Sequence, residues 1–213
     1  TVRFKPLPLG EVALRSNDGE GKDAKGEYKM QYELNTPCTA ADLAPLKAGD
    51  TVLLSGVVYT ARDQAHKRMI EALEKGEQLP FDLTGSAIYY VGPTPERPGE
   101  VIGSAGPTTS GRMDAMSPRL LDLGNKIMIG KGKRDDAVKA AVVRNGAVYL
   151  AALGGAGALM AKSVQTLEVI AWPDLGCEAV RRLTVQDMPL TVILDAHGGD
   201  LYQSGPAAYL ESK

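Results

Sequence analysis

Three positions carry a positive charge where an apolar run gives way to a helical pattern: Arg62, Arg112 and Lys131. The stretch Gly106 to Asp114 reads Gly-Pro-Thr-Thr-Ser-Gly-Arg-Met-Asp. Gly-Pro forces a turn, and Thr109 or Ser110 is placed to cap a helix predicted through Arg112 and Leu120 to a stop at Gly124. The free N–H groups and positive dipole end of a helix start attract anions, and a nearby Arg adds a forked donor that matches a carboxylate at two points. Thr60-Ala61-Arg62-Asp63 has the spacing of a capping box and opens a second predicted helix, with an apolar stripe of Ala65, Met69 and Leu73 and a stop at Gly76. Lys131 sits in Gly130-Lys131-Gly132-Lys133, directly after the predicted strand Lys126 to Ile129. Any one of these cations, taken alone, reads better as a solvated surface charge. Three at equivalent junctions, which gather at the carboxyl ends of strands, point instead to a small dianion such as a dicarboxylate.

His66 follows Arg62 by one helical turn and shares its face. An imidazole there can give or take a proton near neutral pH, although a helical His also serves as a plain structural residue. Asp63 reads as a helix-start residue. Two other motifs fail on spacing. Gly130-Lys131-Gly132-Lys133 lacks the glycine interval and the Ser or Thr of a phosphate-binding loop. Gly154-Gly155-Ala156-Gly157 has Met160 where a dinucleotide fingerprint needs its third glycine.

The elements that must hold these residues read as α/β. The 213 residues suffice for one sizeable core, and apolar and charged fractions of 44% and 23% are ordinary for a globular chain. A net charge of -2 with interspersed signs indicates neither a nucleic-acid face nor a membrane surface. Cys38 and Cys177 are the only cysteines, far apart, so no disulfide framework and no cysteine-based metal site is expected, and a reducing compartment, the cytoplasm, is the expected location. No apolar run approaches the ~20 residues of a membrane span.

Residues 1–29 read as an N-terminal extension or linker: Val2 to Leu14 has strand character around two prolines, and Asn17 to Glu27 is polar and glycine-rich. An added edge strand, a tag-derived piece and the tail of another module all fit it. From Met30 onward strand and helix patterns alternate, which predicts an α/β domain over 30–213. Thr39 caps a short helix, Ala40 to Leu46, and strands are predicted at Thr51 to Tyr59, Ser86 to Val91, Val101 to Gly103, Val148 to Leu153, Val164 to Trp172 and Leu190 to Leu194. Further helices are predicted over Ala137 to Val143, from Ala158 to Lys162 and around Glu178 to Leu183, with a glycine turn at Gly154 to Gly157.

Taken in order, Thr60-Ala61-Arg62-Asp63-Gln64-Ala65-His66, Gly106-Pro107-Thr108-Thr109-Ser110-Gly111-Arg112-Met113 and Gly130-Lys131-Gly132 resemble the beta-type domain of iron-sulfur hydro-lyases, the class I fumarases and L-tartrate dehydratases. The likeness runs from about Tyr32 to Tyr202. Tyr149 to Gly155 and Asp174 to Ala179 look more like fumarase than tartrate dehydratase. The resemblance implies a swivelling β/β/α domain that closes over a [4Fe-4S] cluster carried by an alpha partner subunit in a hetero-oligomer. It implies that Arg62, Arg112 and Lys131 bind the carboxylates of fumarate or malate, that Thr108 lies against the substrate carbon as proton acceptor, and that His66 belongs to the active site. Two cysteines cannot supply the three thiolates of such a cluster, in keeping with that division. L-tartrate dehydratase beta subunit is the alternative within the family. From another class, a non-catalytic α/β module binding a small anion or nucleotide accounts for the cations alone.

Overall fold

A computed structural model describes residues 3–5, 30–152 and 157–211. It is a mixed α/β structure built on one sheet that curls into a barrel-like ring. Strands β1 (Arg3–Lys5) and β2 (Gln31–Asn35) lead to helix α1 (Ala40–Leu43) and the long strand β3 (Thr51–Thr60). Helix α2 (Asp63–Lys75), strand β4 (Ala87–Tyr89), a 3-10 turn (Ser110–Met113), helix α3 (Ser117–Asp122), strand β5 (Ile127–Gly130), helix α4 (Asp136–Asn145) and strand β6 (Val148–Ala151) follow. The remaining described elements are helix α5 (Gly157–Lys162), strand β7 (Val164–Ala171), a second 3-10 turn (Pro173–Glu178), strand β8 (Val180–Leu194) and helix α6 (Leu201–Glu211).

Strands β3, β4, β5 and β6 run parallel, and β8 closes the ring antiparallel to both β6 and β3. Two strands are long enough to serve two neighbours along one edge. β3 pairs with β2 through Thr51–Ser55 and with β4 at Tyr59 and Thr60, while β8 pairs with β7 in its first half and β6 in its last. Their mutual register shifts between Leu54 and Gly56, opposite Asp187 at φ 49°, where the Asp187 amide donates to Ser55 Oγ at 2.9 Å. β1 adds antiparallel to β2 as an edge strand, one of the options open for that segment.

The two-residue alternation of a strand divides the core. Ala87, Tyr89, Ile127, Ile129, Val148 and Leu150 point into the ring with Val52, Leu54, Val58, Leu183 and Val192. Ile88, Tyr90, Met128 and Tyr149 point outward and are covered by Ala65 and Met69 of α2, Leu120 and Leu121 of α3, and Val138, Ala141 and Val142 of α4. One wall of the ring therefore carries α2, α3 and α4, while Leu43 of α1 and Met160 of α5 join the inner cluster.

Thr39 caps α1 in a full capping box with Asp42, but that helix ends at Leu43. Four local expectations are corrected. Thr60 is no cap: it belongs to β3, its hydroxyl donates to Ala179 O and accepts from Arg181 N at 3.0 Å, and α2 begins with Arg62 as N-cap and no side-chain capping bond. The helix expected from Thr109 to Gly124 is a 3-10 turn followed by α3 from Ser117, because Ser110 turns inward instead of capping. Val101 to Gly103 forms no strand. Glu178 to Leu183 is mostly the start of β8, recruited by pairing on both sides, and Leu190 to Leu194 is only that strand's end. The glycine turn expected before Gly157 and the polar stretch Asn17 to Glu27 lie outside the described residues.

Candidate active site

Adjacent parallel strands lie about 4.8 Å apart, so side-by-side carboxyl ends bring their following loops together. Thr60, Tyr89 and Ile129 stand at one level across β3, β4 and β5. Arg62 lies two residues past Thr60, and the Thr108 amide donates to Tyr90 O at 2.8 Å just past β4. Thr109 bridges in parallel to Lys131, just past β5. The fold thus gathers the expected site residues Arg62, Thr108, Arg112 and Lys131 at one end of the ring. The 3-10 turn bearing Arg112 also packs against α2.

The cations differ in how they are held. Arg62 is half-buried and its guanidinium lies over Gly92, where an added Cβ would come within 2.9 Å of Nη1. Its Nη2 pairs with Glu178 Oε1 at 3.2 Å, and the other Glu178 oxygen accepts from the Gln64 amide at 3.2 Å, one of the free donors at the start of α2. Arg68 on α2 binds Asp174 in the same 3-10 turn through both guanidinium branches. Arg181 fastens that turn from β8 by donating to the carbonyls of Gly176, Cys177 and Ala179. Arg112 and Lys131 are exposed, and among the described residues neither side chain has a hydrogen-bond or ion-pair partner. Two cations therefore stand uncompensated beside one that is held in place.

His66 has no exposed surface. Its Nδ1 meets Arg62 O at 2.9 Å, and since a carbonyl only accepts, Nδ1 carries the proton. Nε2 is buried without a partner, as is Arg62 Nε, and the edge of the ring packs against Tyr90 at 5.2 Å. Burial depresses the imidazole pKa to about 4, aided by the Arg134 charge and opposed by the Arg62 carbonyl. The imidazole is therefore neutral at physiological pH.

Ser110 joins the two remaining loops. Its hydroxyl accepts from the Lys131 amide at 3.0 Å and meets Tyr149 OH at 2.9 Å, while its own amide donates to Lys131 O at 2.9 Å. The hydroxyl lies so near Gly130 that a Cβ there would fall 2.0 Å from it. Tyr202 OH accepts from the Gly132 amide at 3.2 Å and braces the loop from α6.

Beneath these loops lies Arg134, whose side chain is 0% exposed. Its Nε donates to Asp114 Oδ1 at 2.6 Å, Nη2 to Ser117 Oγ at 2.8 Å and Nη1 to Met128 Sδ at 3.3 Å, and the guanidinium lies 5.3 and 5.0 Å from the rings of Tyr90 and Tyr149. Neither Arg134 nor Glu178 stands out in the sequence. The one follows the Gly130 to Lys133 stretch, the other opens a segment with a helical pattern, and their partners Asp114, Ser117 and Arg62 come from distant parts of the chain.

The chain's own side chains do not fit an iron-sulfur cluster. Cys38 is shut in against Gly85 before β4, donates to Asn35 O, and burial raises its pKa to about 11. Cys177 lies past the opposite end of β4, its carbonyl 3.2 Å from where a Gly92 Cβ would stand. Among the described residues no group of three or more His, Cys, Asp or Glu could hold a metal ion, and no helix is long and apolar enough to cross a membrane.

The sequence model of the family described as Fumarase C-terminus matches residues 13–205. A protein of Methanocaldococcus jannaschii provisionally named L(+)-tartrate dehydratase subunit beta is 42% identical over 180 residues, which cover 82% of this chain and 92% of that one. The aerobic class I fumarate hydratase of Escherichia coli K12 is 36% identical over 186 residues, 85% of this chain and 34% of that enzyme. The L(+)-tartrate dehydratase subunit beta of E. coli K12 is 31% identical over 189 residues, 86% and 92% of the two chains. The chain thus spans nearly the whole of the subunit-type relatives but about a third of the fumarate hydratase.

Proposed function

Because the chain belongs to the Fumarase C-terminus family, we propose that it is the beta subunit of a fumarate hydratase, interconverting fumarate and (S)-malate together with an alpha partner that carries a [4Fe-4S] cluster. The observation that carries this reading is the pair of exposed, unpartnered cations, Arg112 and Lys131, set at one end of the ring beside the half-buried Arg62. Charges left open at neighbouring strand ends suit a dianion that a second surface then covers. Two to three charge-assisted contacts of about 1.5–3 kcal/mol each would hold both carboxylates and stabilise the one that gains negative charge between the two steps of hydration. The cluster would supply an activated water, and it must come with the partner, since two separated cysteines cannot bind it.

In this scheme Thr108 faces the substrate carbon that gains or loses a proton. An alcohol needs a nearby cation to act as a base, and this reading assigns that part to Lys131, whose backbone bridges to the adjacent Thr109. His66 acts from behind: its neutral ring holds the Arg62 carbonyl through Nδ1–H and so supports the Arg62 anchor. The domain, 30–213, would swivel to close on the partner, with cytoplasmic location and a hetero-oligomeric state following from the same reading. The subunit-type coverage and the 42% identity to the M. jannaschii protein favour a second reading, L-tartrate dehydratase beta subunit.

The test is to co-express the chain with a cluster-bearing partner, reconstitute the iron-sulfur centre anaerobically, and assay fumarate, (S)-malate and L-tartrate. Turnover of fumarate and malate supports the first reading and turnover of tartrate alone the second. Hydratase activity of this chain without metal or partner would overturn both, and calorimetric nucleotide binding by the lone chain, with no turnover by the pair, would favour the non-catalytic module.

A further inference from the structure

We propose that Arg134 and Asp114 form a positioning pair that fixes Arg112 relative to the Thr109–Lys131 edge of the site. The proposal rests on the dicarboxylate reading above, in which Arg112 is a substrate anchor.

Arg112 lies within the 3-10 turn, and nothing among the described residues holds its side chain directly. What fixes it is the backbone, and the backbone is tied at the residue that ends the turn. The Asp114 amide donates to Gly111 O, and both Asp114 oxygens are engaged on the far side: Oδ1 by Arg134 Nε at 2.6 Å, Oδ2 by the Asp135 amide at 2.8 Å. Arg134 and Asp135 belong to the segment that has just carried Lys131. One carboxylate thereby ties the Arg112 turn to the Lys131 loop on one side, as the Ser110–Lys131 bonds do on the other. Arg134 also reaches Ser117 Oγ, the first residue of α3, so it holds both flanks of the break between the 3-10 turn and α3.

A buried ion pair is a poor source of stability, because withdrawing both charges from water offsets most of their attraction, whereas a guanidinium with several fixed acceptors specifies geometry. Arg134 has that form: it is fully enclosed, three of its nitrogens have named partners, and Tyr90 and Tyr149 lie against its faces. A lysine would keep the charge and lose the fork. Arg62, by contrast, is held by Glu178 from another part of the chain and shares no hydrogen bond or ion pair with Arg134 or Asp114.

The experiment compares Arg134→Lys with wild type in the chain co-expressed with its partner subunit, combining it in turn with Arg112→Ala and Arg62→Ala. Arg134→Lys is expected to lower kcat/KM by about 10- to 100-fold, chiefly through KM, since small displacements of an anchor carry losses of that order. Added to Arg112→Ala it should cost almost nothing more, because both act through one group; added to Arg62→Ala the losses should multiply. Hydrogen exchange on the same complex should show faster exchange at the Ser110, Asp114 and Met116 amides and no change in α2. If Arg134→Lys is folded by thermal melt yet keeps wild-type kcat/KM, or if its loss multiplies with that of Arg112→Ala, the proposal is overturned. Should Arg134→Lys fail to fold, Asp114→Asn, which keeps one acceptor toward Asp135, is taken through the same cycles with the same readings. A wild-type complex inactive on fumarate, malate and tartrate counts against the functional reading instead, and the exchange measurement then still decides whether the pair clamps the turn.

Discussion

Replacing His66 by Gln should remove a specific part of the protein's acid sensitivity. In the folded chain burial holds the imidazole pKa at about 4, against an ordinary 6.5. Between those values the unfolded chain binds a proton that the folded chain refuses, so stability is greatest above the ordinary pKa and falls with decreasing pH. The full loss below both values is about 3 kcal/mol, since each unit is worth about 1.4, and by pH 5 about 2 kcal/mol of it should already be gone. That is a large share of a typical ~5–15 kcal/mol total. Gln cannot titrate, and its amide can still donate to Arg62 O. Urea unfolding of both proteins at pH 7.5 and pH 5 is the assay. The wild type should lose about 2 kcal/mol more than the variant over that interval, with carboxylates contributing equally to both. Equal losses in the two proteins would mean that the imidazole protonates in place, through solvent access or an unseen acceptor for Nε2, and the account of His66 as a neutral buried support for Arg62 would fail.

Arg112→Ala should leave the melting temperature within about 1 °C, because the side chain is exposed and unpartnered, while kcat/KM of the partnered enzyme falls by roughly two to three decades, the worth of a lost two-point carboxylate contact. Wild-type turnover in that variant would remove Arg112 from the site. Gly130→Ala must displace the Ser110 hydroxyl, 2.0 Å from the new Cβ, and should cost about 2–4 kcal/mol through overpacking and lost hydrogen bonds, or some 5–10 °C in Tm. Adding Ser110→Ala should recover part of that loss, and no recovery would show the strain to lie elsewhere. Glu178→Ala frees the Gln64 amide and the Arg62 guanidinium together; a Tm drop of a few degrees with a raised KM for the dicarboxylate is expected, and an unchanged KM would separate the Glu178 contact from substrate binding.

What could be read in the sequence and what could not divides along a physical line. Strand-to-helix alternation from Met30, the stop signals Gly76 and Gly124, and the placement of Arg62, Thr108, Arg112 and Lys131 at strand ends are local properties, set by periodicity and turn chemistry, and the fold brings those residues to one end of the ring. The ring closure was not legible, because it depends on β8 reaching both β3 and β6, and a run such as Glu178 to Leu183 has no intrinsic preference strong enough to announce a strand. Thr60 and Ser110 mislead for one reason. A hydroxyl before a helical pattern reads as a cap, yet each is claimed by a distant backbone partner, Arg181 or Lys131, that only the folded chain supplies.

The same line separates the charges. Arg112 and Arg134 are both arginines in polar surroundings, 22 positions apart in a chain whose composition treats them alike, and the fold leaves one uncompensated in solvent while enclosing the other beside two tyrosine rings. If Arg112 anchors a carboxylate as proposed, it has to keep its position without an ion partner of its own, so the rigidity must come from underneath. Arg134, Asp114 and Ser110 supply it through backbone and side-chain bonds that tie the two site loops to each other. On this view the open cations and the buried clamp are one arrangement. A substitution that weakens the clamp should act on substrate affinity even though it touches no substrate, and the Arg134–Arg112 cycle is the measurement in which that coupling either emerges or is absent.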